Sequence, residues 1–305
     1  MCHLYISVFQ ELPDPRMKSY FLAAKPYQGL TLLTIYLMFV FKWGPKWMKN
    51  KPPYELRKTL MIYNIIQVIA CAAVFITGIK IAWGWKYRWI CEPVDFSNND
   101  DAIQIARLVY SYFLLKILDL ADTIFFVLRK KTNQITFLHV YHHTGMVALI
   151  WGAVTYFPGG HGTFIGLVNC FVHVVMYMYY FLTVAVPSVK QSSGWKKYIT
   201  QLQILQFLMT IIHMSTIVFK PDCGYPRWSA ALFLPQNIFM LILFVDFYIK
   251  TYLKKQTAVI KPRVLDERRK VRGTVENVPK VNNDVFEMSI RNRKEAWHSK
   301  DNARS

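Results

Sequence analysis

Seven long apolar stretches leave this chain little choice of fold. They lie at about 29–41, 60–81, 103–128, 138–157, 163–187, 199–219 and 231–253. A helix needs roughly 20 consecutive apolar residues to cross a hydrocarbon core. The chain of 305 residues is 53% apolar and 16% aromatic, and its apolar residues are bunched rather than spread evenly. Such bunching marks an all-α integral membrane protein of about seven transmembrane helices. The first run is short and the fourth is interrupted by histidines, so six spans, or a re-entrant fourth, is the alternative.

Three regions follow from composition. Residues 1–28 form a polar lead-in punctuated by Pro13, Pro15 and Pro26, and residues 29–253 form one membrane domain. Residues 254–305 are rich in Lys, Arg, Asn and Val and nearly lack aromatic residues, the composition of a poorly ordered tail. No cleavable signal peptide is expected, because Glu11, Asp14, Arg16 and Lys18 break any charged-then-apolar order.

Orientation follows from the basic loops. Lys42, Lys46, Lys49, Lys51, Arg57 and Lys58 follow the first run, Arg129, Lys130 and Lys131 the third, and Lys190, Lys196 and Lys197 the fifth. The alternate loops are poor in them, which places the N-terminus outside and the basic tail in the cytosol. The net charge of +19 therefore gathers on one face, where it meets anionic lipid or a polyanionic substrate. Nucleic acid is excluded as a partner, since the aromatic residues lie within spans rather than on a basic surface. Of the five cysteines, only Cys91 and Cys223 fall in outer loops. They either pair, as an oxidising compartment allows, or remain two free thiols.

Ionisable side chains at membrane depth are costly and usually face an interior or a reaction site. His139, His142 and His143 form H-x-x-H-H inside the fourth run, and on a helix they share one face. The third run carries Lys116, Asp119, Asp122 and Thr123, with 116, 119 and 123 on one stripe. The fifth carries Asn169, His173, Met176, Tyr177 and Tyr180, and the sixth Thr200, Gln203 and Gln206, again on single faces. Interhelical hydrogen bonding alone accounts for one such stripe. Four stripes that cannot face lipid must face one another. Adjacent helical positions point about 100° apart, so Cys170 is expected to look away from the His173 face.

A histidine box also occurs in membrane di-iron enzymes, but a shared histidine shell needs many ligands. Of eight histidines, His3 and His298 lie in the termini, His161 in an outer loop and His213 alone in the sixth run. That leaves His139, His142, His143 and His173, and no metal is expected.

The motifs K-I-L-D-L-A-D-T-I-F-F-V-L-R-K-K (116–131), F-L-H-V-Y-H-H (137–143), N-C-F-V-H-V-V-M-Y-M-Y-Y (169–180) and T-Q-L-Q-I-L-Q (200–206), taken together, resemble the animal very-long-chain fatty acid elongases of the ELO type. The likeness extends from D-P-R at 14–16 to F-Y-I-K-T-Y-L-K-K at 247–255, nearly all but the tail. Asp119 stands where the family commonly carries Glu, one methylene longer. The family's frequent dilysine-type retrieval signal is missing from residues 302–305.

The resemblance implies seven helices, six of them enclosing an acyl-chain tunnel, and residence in the endoplasmic reticulum. It implies condensation of acyl-CoA with malonyl-CoA to 3-oxoacyl-CoA, CO2 and CoA, with no cofactor beyond these substrates. Its partners would be membrane lipids, the other enzymes of the elongation cycle and, if it self-associates, a second copy. A neutral imidazole can attack a thioester. His142 is the expected nucleophile, with His139 and His143 moving protons or setting its tautomer. His173 and Asn169 would stabilise an enolate, and Lys116, Asp119 and Asp122 would balance charge. Thr123, Tyr177, Tyr180, Gln203 and Gln206 complete the expected polar cavity. Arg129, Lys130, Lys196 and Lys197 are placed to meet CoA phosphates. The competing readings are a lipid or metabolite transporter and a di-iron lipid hydroxylase or desaturase.

Overall fold

The computed structural model describes residues 11–23, 25–186, 189, 193–220 and 222–253. The chain divides into two compact units, Met1–Ile249 and Lys250–Ser305. The first holds every element and contact discussed below. The expected tail, with His298, lies outside the described residues, as do Cys2 and His3.

Helices and no strand occur among the described residues. Helix α1, Pro26–Met38, starts on a proline whose missing N–H costs nothing at that position, and runs on through a π-helical turn, Phe39–Trp43, into Gly44–Met48. Helix α2 is Arg57–Gly78, extended by a π-helical turn, Ile79–Trp83. Helix α3, Asp100–Leu118, is capped by the Asn99 side chain, which accepts from Ala102 N at 2.7 Å, and Asp100 and Asp101 in its first turn complement the helix dipole. A two-residue break at 119–120 separates α3 from α4, Ala121–Leu128. Helix α5, Phe137–Tyr156, is capped by Thr136, and α6, α7 and α8 are Thr163–Ala185, Ser193–Phe219 and Ala230–Tyr248.

All seven expected spans are helical. Four helices, Arg57–Trp83, Thr163–Ala185, Gly194–Phe219 and Arg227–Leu253, are long and apolar enough to cross a membrane. At 1.5 Å per residue they reach roughly 35–40 Å, more than the ~30 Å core. The other three are interrupted or polar: a π-helical turn follows α1, the break at 119–120 divides the third, and the histidine box sits in α5.

Burial is inverted relative to a water-soluble fold. On α2, Tyr63, Asn64, Gln67 and Cys71 are buried while Ile62, Ile66, Ile69 and Ile76 are exposed. On α7, Thr200, Gln206, Thr210 and His213 are buried while Leu205, Leu208, Met209 and Ile212 face outward. An exterior of large apolar side chains around a polar interior is stable only against lipid, and it makes this an all-α membrane protein.

One end of the helix assembly is clasped. Cys91 and Cys223 are disulfide-bonded across 132 residues of sequence, with their Cα atoms 5.8 Å apart. Beside the bond, His161 N donates to Glu92 O at 2.8 Å and Thr216 Oγ1 to Ile90 O at 2.7 Å. Gly160 has φ of 62°, and a Cβ there would meet Glu92 O and Pro93 O at 2.8 Å, so only glycine fits. Arg16 anchors the lead-in by pairing with Asp14 at 2.6 Å and donating to Ser97 O at 3.0 Å. The expected loop and span histidines are partners here: the rings of His161 and His213 stack at 3.9 Å and 11°. Burial pushes the His161 imidazole below its ordinary value and the Tyr87 phenol up to about 12. Asp95 is held low by hydrogen bonds from Ser97 and Asn99.

Candidate active site

The site begins at the break after α3. At 119–120 the backbone keeps right-handed helical dihedrals while the regular hydrogen-bond ladder lapses, and Asp119 there is 2% exposed. Lys116, one turn earlier, donates to Asp119 Oδ2 at 2.7 Å, and Gln67 Nε2 donates to Oδ1 at 2.8 Å. Tyr177 OH stands 3.1 Å from Asp119 Oδ1 and 2.7 Å from Asp122 Oδ2. A phenol has one proton, so Tyr177 serves one carboxylate at a time and the shorter contact favours Asp122.

Asn169 on α6 joins the network through its oxygen. Lys116 Nζ at 2.8 Å and Tyr112 OH at 3.0 Å both donate to Asn169 Oδ1. An ammonium only donates, which fixes the amide orientation and turns Nδ2 toward Gln206 Oε1 at 3.5 Å. A buried cation is stable only when paired and hydrogen-bonded, and Lys116, 3% exposed, has the carboxylate and the amide oxygen.

One histidine borders this carboxylate, and three more cluster on α5. His173 Nδ1 lies 3.6 Å from Asp119 Oδ2, within ion-pair range but beyond an ordinary hydrogen bond. On α5 the rings of His139 and His143 are 4.4 Å apart and those of His142 and His143 5.4 Å. His139 Nε2 meets Thr123 Oγ1 at 2.9 Å, and Tyr36 OH donates to the same oxygen at 2.7 Å. His173 on α6 thus borders the Lys116–Asp119 pair, and the α5 box joins the same region through His139 and Thr123.

The remaining expected residues sit further out. Gln203 Nε2 contacts the Met176 sulfur at 3.6 Å, and Gln206 is buried against Asn169. Tyr180 is 40% exposed, its ring 5.9 Å from that of Tyr177, on the rim of the network rather than inside it. Arg129 and Lys130 lie just past α4, where Lys130 Nζ donates to Lys49 O at 3.3 Å, and Lys196 and Lys197 lie at the start of α7. Among the described residues no three or more His, Cys, Asp or Glu side chains are grouped so as to hold a metal ion.

Several members of the network escape a stripe-by-stripe reading. Tyr63, Gln67 and Cys71 repeat every four residues on α2, a face that its surrounding isoleucines mask. Tyr36 and Tyr112 are aromatic residues whose hydroxyls, not rings, carry the contact.

Beyond Tyr112 the interior changes character. A narrow cavity of about 50 Å³ runs toward the disulfide end, lined by Gly78, Trp83, Ile105, Tyr112, Gly166, Tyr225 and other mostly apolar residues. Tyr112 belongs to both regions, its hydroxyl in the polar network and its ring on the cavity wall.

Comparison with known proteins agrees with this architecture. The family model described as "ELO: GNS1/SUR4 family" matches residues 21–259. The chain belongs to the ELO family. It is 39% identical over 241 residues to human very long chain fatty acid elongase 4, covering 79% of this chain and 76% of that protein. Drosophila melanogaster very long chain fatty acid elongase 7 is 39% identical over 242 residues, covering 79% and 74%. Mouse very long chain fatty acid elongase 1 is 36% identical over 254 residues, covering 82% and 91%. The matched segment of this ELO-family protein contains every described residue of the network, from Tyr36 to Gln206.

Proposed function

We propose that the protein catalyses the condensing step of very-long-chain fatty acid elongation in the endoplasmic reticulum membrane, as a 3-oxoacyl-CoA synthase. The observation that carries this reading is the α5 histidine cluster, tied to Thr123 through His139, and His173 beside the buried Lys116–Asp119 pair, next to an apolar cavity. The family and its elongase relatives support the same reading.

In this account His142 attacks the acyl-CoA carbonyl, the C–S bond breaks, and CoA leaves as the thiol with a proton relayed by His139 or His143. The acyl tail occupies the cavity beyond Tyr112. Malonyl-CoA then loses CO2, and the enolate oxygen is met by donors at His173 and the Asn169 amide. The enolate carbon attacks the acyl-imidazole, forming the carbon–carbon bond and expelling His142 as an imidazolate, which takes a proton from solvent water through His139 or His143. Arg129, Lys130, Lys196 and Lys197 hold the CoA phosphates at the cytosolic face, the N-terminus being lumenal.

The test is release of labelled CO2 from carboxyl-labelled malonyl-CoA by purified protein. The reading expects release that depends on a long-chain acyl-CoA and yields 3-oxoacyl-CoA. Uptake of acyl-CoA into proteoliposomes without CO2 release would favour a transporter instead.

A further inference from the structure

Four residues lining the cavity carry polar side-chain atoms: Trp83, Tyr112, Thr163 and Tyr225. Three of them are partnered. Tyr112 OH donates to Asn169 Oδ1 at 3.0 Å, Trp83 Nε1 to Thr163 Oγ1 at 3.0 Å, and Thr163 Oγ1 to Gly160 O at 2.7 Å. The Tyr225 hydroxyl makes no hydrogen bond among the described residues, although the residue is only 2% exposed.

This hydroxyl sits at the end of the cavity away from the histidines. Tyr225 follows the disulfide-bonded Cys223, and its ring meets Phe157, another lining residue, edge-on at 6.0 Å. A Cβ on Gly162 would collide with the Tyr225 hydroxyl, so the bare backbone of that lining glycine is what admits the phenol. A phenol shut away from water without a partner costs free energy that a hydrogen-bonding guest restores. A buried water wants several polar partners, whereas the lining side chains leave one hydroxyl free. The guest is also neutral. No lining residue is charged, so a terminal carboxylate would lie unpaired in an apolar space. A hydroxyl both donates and accepts, as the phenol does, and fits in either direction.

We propose that Tyr225 receives a hydroxyl at the far end of the acyl chain, which makes ω-hydroxyacyl-CoA the preferred substrate class. This rests on the proposed function, which seats the acyl tail in the cavity. With the thioester at the α5 histidines and the chain running past Tyr112, one matching chain length brings the ω-carbon to Tyr225. There the phenol and the terminal hydroxyl share a hydrogen bond, and a methyl end leaves the phenol bare. A site built to bond a substrate hydroxyl discriminates strongly against the analogue lacking it, because its own polar group is then left unpaired. Tyr225 is thus a specificity residue and touches none of the reacting atoms.

The experiment uses the full chain in lipid nanodiscs, with saturated acyl-CoAs of successive even lengths and the ω-hydroxyacyl-CoA of each length. For every pair, kcat/KM of condensation is measured, and so is the shift in Tm that each thioester produces without malonyl-CoA. The expected result is at least a tenfold preference in kcat/KM for the ω-hydroxy member at one length, falling off at shorter lengths, with the larger Tm shift at that same length. In Tyr225→Phe, which keeps the ring, the preference falls to about one. Both members of a pair are compared on one preparation, so the ratio does not depend on how much of the variant folds. Equal kcat/KM and equal Tm shifts at every length, or a preference that survives in Tyr225→Phe, overturns the site. Absence of condensation with every acyl-CoA overturns the proposed function instead, and the Tm shifts then decide the ω-hydroxyl site by themselves, equal shifts, zero included, sinking it.

Discussion

Tyr112 donates its hydroxyl to Asn169 Oδ1 at 3.0 Å while its ring forms part of the cavity wall. One side chain thus ties the polar network to the apolar space beyond it. Tyr112→Phe keeps the ring and deletes the bond, leaving Asn169 Oδ1 to Lys116 alone. A single buried hydrogen bond is worth about 1 kcal/mol, so kcat/KM is expected to fall about fivefold with the product length unchanged. Steady-state kinetics on a panel of acyl-CoAs checks both halves.

Cavity depth should decide the acyl length. A Cβ on Gly166 would lie 3.2–3.5 Å from the Tyr112 ring, and one on Gly78 would meet Leu167 Cδ1 at 2.9 Å. Gly166→Leu therefore fills the space below Tyr112 and is expected to move the product profile to shorter chains by at least one two-carbon step. Product analysis by mass spectrometry, with expression level as the folding control, reads the shift. An unchanged profile from well-expressed variant protein would place the acyl tail elsewhere.

The Lys116–Asp119 pair is predicted to be indispensable in halves and replaceable as a unit. Lys116→Met leaves a buried carboxylate without its cation, a loss of about 3–5 kcal/mol. Lys116→Met combined with Asp119→Asn removes both charges and should recover most of that stability without recovering turnover. Thermal unfolding in detergent, run beside an activity assay, separates the two effects.

At the disulfide end, stability should depend on pH through His161. Burial holds its folded pKa below the unfolded value of about 6.5, so the folded state binds fewer protons than the unfolded one below that pH. The contribution is complete above pH 6.5 and is lost as the pH falls through the folded pKa. His161→Phe is expected to flatten the Tm profile between neutral and acidic pH. A profile as steep in the variant as in the parent would assign the dependence to other groups.

Much of the interior was legible in advance, and the reason is periodicity. Lys116, Asp119 and Thr123, and likewise Asn169, His173 and Tyr177, recur at helical spacing within runs where lipid tolerates no unpaired charge. Asp119 meets Lys116 on its own helix and Tyr177 and His173 on α6, while the α5 stripe reaches Thr123 and the α7 stripe reaches Asn169 and Met176. Gln67 was missed because an amide among isoleucines carries no charge to flag it, although Tyr63, Gln67 and Cys71 are spaced by fours. The break at 119–120 contains no glycine or proline to announce it. Whether Cys91 joined Cys223 was open because 132 residues of sequence separation say nothing about distance.

The central claim is that an imidazole of the α5 box takes the acyl group covalently. The most direct measurement is intact-protein and peptide mass spectrometry after incubation with a long-chain acyl-CoA in the absence of malonyl-CoA. The account predicts one added acyl group on His142, released by mild hydroxylamine, consumed on addition of malonyl-CoA and absent from His142→Ala. Unmodified protein that nevertheless condenses at full rate once malonyl-CoA is added would contradict it and point to a single ternary step.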